Sequence, residues 1–327
     1  MLQLSIETQS WPLAAAFSIS RGTKTEAKVV VVELRDGDYV GWGECVPYAR
    51  YGESPDSVTA QIQGIADMLR GGAGPADIQA LLPAGAARNA VDCALWDLEA
   101  KRFGIPAWKL ADLKKAPEPV TTAYTISLGT PEAMAESARA NAHRPLMKLK
   151  LTGEGDMERV AAVREAAPAT ALIVDANEGW TIDMVEPYSA ALARLGVQLI
   201  EQPLPADRDE ALASVTHPVP ICADESAHTR HGLAQLIGRY DAINIKLDKT
   251  GGLTEALALK DASLVAGLEI MVGCMVGTSL GMAPAFLLAQ GARFVDLDGP
   301  LLLAKDRAHG IVYDGSRMLP PGPDLWG

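Results

Sequence analysis

Eight short apolar runs recur between residues 122 and 297, at 122–128, 147–151, 171–176, 198–202, 221–223, 242–247, 269–275 and 294–297, with helix-type segments between them. Their spacing of roughly 22 to 28 residues is what one strand, one helix and two short loops require, so the pattern predicts an α/β fold closed as a parallel (β/α) barrel. An open doubly wound sheet would show the same alternation, but no G-x-G-x-x-G opens a helix after any of the runs.

Ahead of the barrel, the β-rich stretches 27–34 and 39–44 are split by the turn Arg35-Asp36-Gly37-Asp38 and read as antiparallel strands. From Ser54 the pattern becomes helical, breaks at Gly71-Gly72-Ala73-Gly74-Pro75, and resumes as an apolar-faced helix over about 86–102 that Gly104-Ile105-Pro106 ends. The Pro- and Lys-bearing segment 114–119 marks a boundary. The expected division is an α+β domain over residues 1–117, a barrel over 118–300, and a segment over 301–327 that returns to the first domain, because Pro320, Pro321 and Pro323 bar another βα unit.

Lys plus Arg number 29 against 41 Asp plus Glu, a formal net charge of −12, with no basic stripe or like-charge run. A nucleic acid or an anionic membrane surface is a poor partner for such a chain. Cys45, Cys93, Cys222 and Cys274 are too far apart for a C-x-x-C pair and read as buried reduced thiols. The N-terminal stretch lacks the basic start of a signal peptide, and no apolar run is long enough to span a bilayer. A cytoplasmic location is the expectation, and a homo-oligomer is compatible with it.

Ionisable residues stand at the C-terminal ends of the runs, where a barrel keeps its active site and where packing gives charge no role. They are Lys148 and Lys150, Asp175, Glu201, Asp224, Lys246, then Asp296 and Asp298. Consecutive strands each supplying one is too regular for chance helix caps and loop ion pairs. Asp175, Glu201 and Asp224 come from neighbouring strands, and three unpaired anions on one wall repel unless a cation joins them. Oxygen ligands without His or Cys point to a hard ion, Mg²⁺ or Mn²⁺, rather than zinc. Lys150 and Lys246 lie four strands apart in a ring of eight, hence on opposite sides of the mouth, which suits two bases working on the two faces of one carbon. Lys148, two residues before Lys150, points to the same side, and its charge is expected to bring Lys150 down from about 10.4 toward neutrality. The chemistry that follows is a 1,1-proton transfer. A carboxylate on the metal acidifies the substrate α-proton, one lysine removes it to leave an enediolate, and the other returns a proton to the opposite face.

The stretches Lys148-Leu149-Lys150, Val174-Asp175-Ala176-Asn177, Ile200-Glu201-Gln202-Pro203, Ala223-Asp224-Glu225-Ser226 and Asn244-Ile245-Lys246 resemble the enolase superfamily, in its muconate-lactonizing subgroup, over nearly the whole chain. The resemblance implies an enolase-like architecture, a (β/α)7β modified TIM barrel with an α+β capping domain, and Mg²⁺ on Asp175, Glu201 and Asp224. In the branch resembling mandelate racemase the base of the seventh strand is a histidine; here Gly273-Cys274-Met275 stands in that place. Within the subgroup the chain is most similar to the L-Ala-D/L-Glu epimerases, dipeptide epimerases of murein peptide recycling, which implies interconversion of L-Ala-D-Glu and L-Ala-L-Glu. That family uses an Asp-x-Asp pair to hold the dipeptide's α-ammonium, the role implied for Asp296 and Asp298, whose shared strand face makes an anionic cradle. The resemblance also implies that Arg21, on a capping loop, binds the side-chain carboxylate of the epimerised glutamate. It implies a second capping loop over 48–54, hinged on its glycine, and a substrate contact from Thr278, in the stretch after the seventh strand where relatives vary.

Gly277-Thr278-Ser279-Leu280-Gly281 matches G-x-S-x-G, with Asp298 and His309 downstream, and raises a serine hydrolase using Ser279. That reading leaves the lysines and the acidic triad unexplained, and one remaining strand is too few for such a fold. Lys249-Thr250-Gly251 resembles a β-lactamase motif, but no S-x-x-K accompanies it, and it reads as a helix-start turn. Elimination as in o-succinylbenzoate synthase, racemisation of an N-acylamino acid, and epimerisation of dipeptides with another side chain would all use the same machinery. The first two substrates lack the free ammonium that Asp296 and Asp298 suit. A binding barrel without catalysis would have no use for lysines on both sides.

Overall fold

The computed structural model describes residues 2–19 and 22–327. β1 (Gln3–Ile19), β2 (Gly22–Asp36) and β3 (Tyr39–Cys45) form an antiparallel sheet in that order. Asp36 pairs with Tyr39 across Gly37-Asp38, the tight hairpin expected from the sequence. Along β2 the apolar residues divide by parity: Val30, Val32 and Leu34 pack on the cap helices, Val29 and Val31 on the core shared with the barrel. The helices α1 (Pro55–Gly64), α2 (Ala66–Arg70), α3 (Pro75–Leu81), α4 (Ala86–Phe103) and α5 (Ala107–Leu110) follow. α4 ends on Gly104 in the left-handed conformation. It lies against β3 so closely that a Cβ on Gly41 or Gly43 would collide with the carbonyl oxygens of Ala94 or Ala90.

After β4 (Val120–Thr121) come eight parallel strands, each paired with its neighbours in sequence. They are β5 (Tyr124–Ile126), β6 (Leu146–Lys150), β7 (Ala171–Asp175), β8 (Val197–Glu201), β9 (Ile221–Ala223), β10 (Ala242–Ile245), β11 (Glu269–Gly273) and β12 (Phe294–Asp296). β12 returns to the β5 side through Ala123 N donating to Val295 O at 2.7 Å and Leu297 N to Thr122 Oγ1 at 2.8 Å. The connections carry α6 (Pro131–Ala140), α7 (Asp156–Ala166), α8 (Ile182–Arg194), α9 (Leu233–Leu236), α10 (Leu247–Thr250), α11 (Leu253–Val265) and α12 (Ser279–Leu288). This is the expected barrel with its cap, with one local departure: between β8 and β9 there is only a 3-10 turn, Glu210–Ser214. Prolines at 203, 205, 218 and 220 confine that connection, and Asp209 is drawn inward onto Tyr240, Ser226 and Arg239.

Alternation along the strands sends Leu146, Ile173, Leu199, Cys222, Met271 and Phe294 into a buried apolar cluster. Two residues further along the same face of β6 comes Lys148, then Lys150; along β10, Ala242 is followed by Asn244 and then Lys246. The barrel interior thus turns from apolar to charged toward its C-terminal mouth. Beyond β12 the chain forms β13 (Tyr313–Asp314) and β14 (Arg317–Met318), which pair as a ribbon with β4. It then reaches α4, where Trp326 Nε1 donates to Cys93 O at 3.0 Å and Gly327 N to Asp97 Oδ1 at 2.6 Å. Cys45, Cys93 and Cys222 are buried free thiols, but Cys274 is partly exposed. Among the described residues no helix is long and apolar enough to cross a membrane.

Candidate active site

Asp175 and Glu201 end β7 and β8, and Asp224 directly follows β9; one oxygen of each lies within 4.8 Å of the others, all three residues being buried. Lys150 Nζ donates to Asp175 Oδ2 at 2.6 Å and Lys246 Nζ to Asp224 Oδ2 at 2.7 Å. The lysines come from β6 and from the residue after β10, so they flank the triad from its two sides. Lys148 sits deeper, with Nζ 2.6 Å from Glu201 Oε2, 2.8 Å from Asp296 Oδ2 and 3.2 Å from Asp175 Oδ2. Its ammonium is thus held among three carboxylates, one of which, Asp175, also holds Lys150.

Burial opposes charge on Lys148 and Lys246, yet the surrounding carboxylates, led by Asp296 and Asp224 respectively, hold both ammoniums well above the usual lysine range. Burial would likewise raise Asp175 and Asp224, but Lys150 and Lys148 hold the first below the ordinary carboxyl value and Lys246 and Lys249 hold down the second. Glu201 goes the other way, pushed up to about 7 by burial and by Asp175. Its Oε2 is 2.6 Å from Lys148 Nζ but off the direction of a hydrogen bond, and it is buried without a hydrogen-bond partner. A cluster of hard oxygen donors with one member unsatisfied fits a divalent ion.

A cavity of about 760 Å³ opens over this cluster, lined from the barrel by Lys150, Lys246, Asp296 and Asp298 and from the cap by Phe17 and Tyr48, among others. Asp296 Oδ1 is buried without a hydrogen-bond partner. Asp298 Oδ2 accepts from Thr125 N at 2.7 Å, and burial together with Asp296 pushes its carboxyl up to about 7. The two acids do not share a strand face as expected: β12 ends at Asp296, and Asp298 starts the 3-10 turn Gly299–Leu302 that aims it into the same cavity. Overhead, the loop over 48–54 turns at Ala49–Tyr51 and at Gly52, whose φ is +74°. Arg50 Nη2 reaches Glu178 Oε1 at 2.5 Å, and the Tyr51 ring stands edge-on to His228 at 4.9 Å. Arg21 lies outside the described residues.

Thr278 is not brought to the cavity, which corrects the substrate contact expected of it. It is fully buried at the start of α12; its N and Oγ1 donate to Glu44 at 2.7 and 2.5 Å, and Oγ1 accepts from Arg307 Nε at 2.6 Å. Ser279 is also structural, its hydroxyl donating to Asp306 and accepting from Ile311 N at 2.8 Å, while His309 is exposed; the hydrolase reading ends there. Three residues were missed. Asn244 Nδ2 donates to Glu201 Oε1 at 2.7 Å, in space that a Cβ on Gly273 would fill. Gln202, at φ +35°, accepts from Asp224 N at 2.8 Å and donates to Tyr240 Oη at 3.0 Å, tying the ends of β8 and β9 together. Lys249, read as part of a turn, is buried against Asp224.

The chain also matches known proteins over nearly its whole length. The family model for the N-terminal domain of mandelate racemase/muconate lactonizing enzyme matches residues 1–111, and the enolase C-terminal domain-like model matches residues 132–304. The chain is 50% identical over 310 residues to the L-Ala-D/L-Glu epimerase of Escherichia coli (strain K12), covering 94% of this chain and 96% of that protein. It is 48% identical over 302 residues to an N-acetyl-D-glutamate racemase of Pseudoalteromonas sp, covering 91% and 95%. Its structure is similar, at a TM-score of 0.98 and 55% identity with 100% of both chains covered, to a crystal structure of an enolase family member from Agrobacterium tumefaciens with homology to dipeptide epimerases, with bound sodium and L-Ala-L-Glu and an ordered loop.

Proposed function

The chain belongs to the mandelate racemase/muconate lactonizing family of enolase-like proteins, and from that premise we propose that it is a dipeptide epimerase, interconverting L-Ala-D-Glu and L-Ala-L-Glu by two-base proton transfer. The observation that carries the reading is the placing of Lys150 and Lys246 on the two flanks of one carboxylate triad, in a cavity that also holds the acidic pair Asp296 and Asp298. Asp175, Glu201 and Asp224 would hold Mg²⁺, or Mn²⁺, whose positive charge would acidify the α-proton beside a bound substrate carboxylate.

Lys150 and Lys246 each exchange a proton with one face of the α-carbon, and each must first leave the carboxylate it now holds. Lys148 remains on Asp296 and Glu201 and keeps both oriented. Asp296 and Asp298 receive the substrate ammonium, and Arg21 the side-chain carboxylate of the glutamate. The loop over 48–54, tied to the barrel through Arg50 and Tyr51, keeps water from the deprotonated carbon. Murein peptide recycling in the cytoplasm is the setting proposed for this activity.

Racemisation of N-acetylglutamate is the second reading, favoured by the 48% identity to a racemase of that substrate. It uses the same bases but no ammonium, and so leaves the buried, unpartnered Asp296 Oδ1 without a purpose. The deciding experiment incubates the protein with Mg²⁺ and either dipeptide epimer in D₂O, following the glutamate α-proton by NMR and the product by chiral chromatography. Exchange with inversion, abolished by EDTA, supports the proposal; no exchange on either epimer overturns it.

A further inference from the structure

We propose that Lys249 is a positioning residue for the metal centre: by occupying one oxygen of Asp224, it leaves that carboxylate a single oxygen to offer and so fits the site to a small octahedral ion. The inference rests on reading Asp175, Glu201 and Asp224 as metal ligands. Lys249 is 1% exposed, and its ammonium donates to Asp224 Oδ1 at 2.5 Å, to the Asp224 carbonyl oxygen, and to Asn244 O at 3.0 Å. All three N–H groups of the ammonium are thereby used on protein, so it has none left for substrate. Lys246, on Asp224 Oδ2 at 2.7 Å, must let go in order to act as a base; Lys249 need not.

The element carrying Lys249 is itself gripped by the cap. α10 is a single turn whose N-cap is Lys246 and whose C-cap is Gly251, at φ +78°. From α4, Arg88 donates to Thr250 O at 2.5 Å and Gly251 O at 3.1 Å, and Asn89 Nδ2 donates to Asp248 Oδ1 at 2.8 Å. The capping domain therefore braces, through α10, the residue that orients a ligand on β9, in addition to roofing the cavity.

Mg²⁺ demands near-ideal octahedral geometry, whereas Ca²⁺ takes more oxygens and accepts bidentate carboxylates. Freeing Asp224 Oδ1 should favour the larger ion. The test is calorimetric titration of the full-length protein with Mg²⁺ and with Ca²⁺ for the wild type, K249M and K249Q, with Tm read alongside. Removing one positive charge strengthens the pull on both divalent ions alike, so the ratio of the two Kd values isolates the geometric effect. The ratio favouring Mg²⁺ should fall by about tenfold or more in K249M, the size typical of an outer-shell partner. A ratio unchanged to within about twofold overturns the proposal whatever Tm does. A wild type that binds no Mg²⁺ instead overturns the metal reading beneath it. If neither variant folds, a crystal structure of the wild type with Mg²⁺ decides: one Asp224 oxygen on the ion with Oδ1 on Lys249 supports the proposal, and a bidentate Asp224 or a displaced Lys249 overturns it.

Discussion

Replacing Asp298 with Asn asks whether the acidic pair in the cavity is there for a cation. Asp298 Oδ2 accepts from Thr125 N at 2.7 Å, and its neighbour Asp296 keeps Oδ1 buried and unpartnered. The amide of D298N retains the Thr125 bond through its carbonyl oxygen, which leaves an NH₂ where the substrate ammonium would lie. One charge-assisted hydrogen bond is lost, about 2–3 kcal/mol. At about 1.36 kcal/mol per tenfold, kcat/KM for L-Ala-L-Glu should fall ~30- to 150-fold. N-acetyl-L-glutamate, with a neutral acylated nitrogen, meets no such loss. Because burial and Asp296 push the Asp298 carboxyl up to about 7, kcat/KM of the wild type for the dipeptide should rise with pH through that value as the group ionises, and D298N should lose that limb. Initial rates on both substrates at saturating Mg²⁺ between pH 6 and 8.5, set by the conditions of the assay, provide the measurement. A variant that keeps its dipeptide activity, or that loses the same factor on both substrates, refutes the cation cradle.

In D₂O, Lys150→Ala should block α-proton exchange from one glutamate epimer and Lys246→Ala from the other, each by at least about 10²-fold; full epimerisation by either variant contradicts two bases on two faces. Chelation with EDTA should abolish exchange and Mg²⁺ should restore it, as followed by NMR on one sample. Asp248, which accepts from Val46 N at 3.0 Å and Asn89 Nδ2 at 2.8 Å across the junction of cap and barrel, is raised by burial from the ordinary 3.8 to about 7. Folding therefore takes up a proton in that window, so this group's contribution to stability is full below the ordinary value and is lost as pH rises through about 7. D248N should remove the loss and gain more stability at high pH than at low, by up to about 4 kcal/mol, which urea titrations at the two ends of the window would detect.

The strands, the mouth and the charges at it were legible because two periodicities overlap in this chain. The βα repeat locates each strand end, and alternation within a strand puts Lys148 and Lys150 inside together. What escaped was set by contacts between elements that no local pattern encodes. Lys249 follows Lys246 by one turn and looks like helix-start polarity, and only the arrival of Asp224 from β9 turns it into a buried partner. Asn244 reads as one polar residue in an apolar strand until Gly273 of β11 makes room for it beside Glu201. Thr278 was misread for the same reason, and Ser279, whose hydrolase motif was already set aside on the sequence, is held in the same way. Their motif is local, but Glu44 from the cap and Asp306 from beyond the barrel take both hydroxyls.

The barrel closes where β12 meets the chain beside β5, and among the described residues one backbone hydrogen bond, Ala123 N to Val295 O, joins them there, helped by Thr122 and Asp298 side chains. The other neighbouring strands share paired ladders, five residues long between β6 and β7. A ring opens more readily where its backbone pairing is thin, so partial unfolding of the barrel should begin at this seam or at the two-residue ladders beside β9. The acidic pair sits on the seam. A ligand whose ammonium lies on Asp296 and Asp298 and whose carboxylate lies toward β7–β9 spans the seam like a clasp, and its binding energy is added to the work of prising the ring apart. Substrate held in this way would act as a temporary structural member, and the amides of Ala123 and Thr125 should then gain protection from hydrogen exchange in step with occupancy.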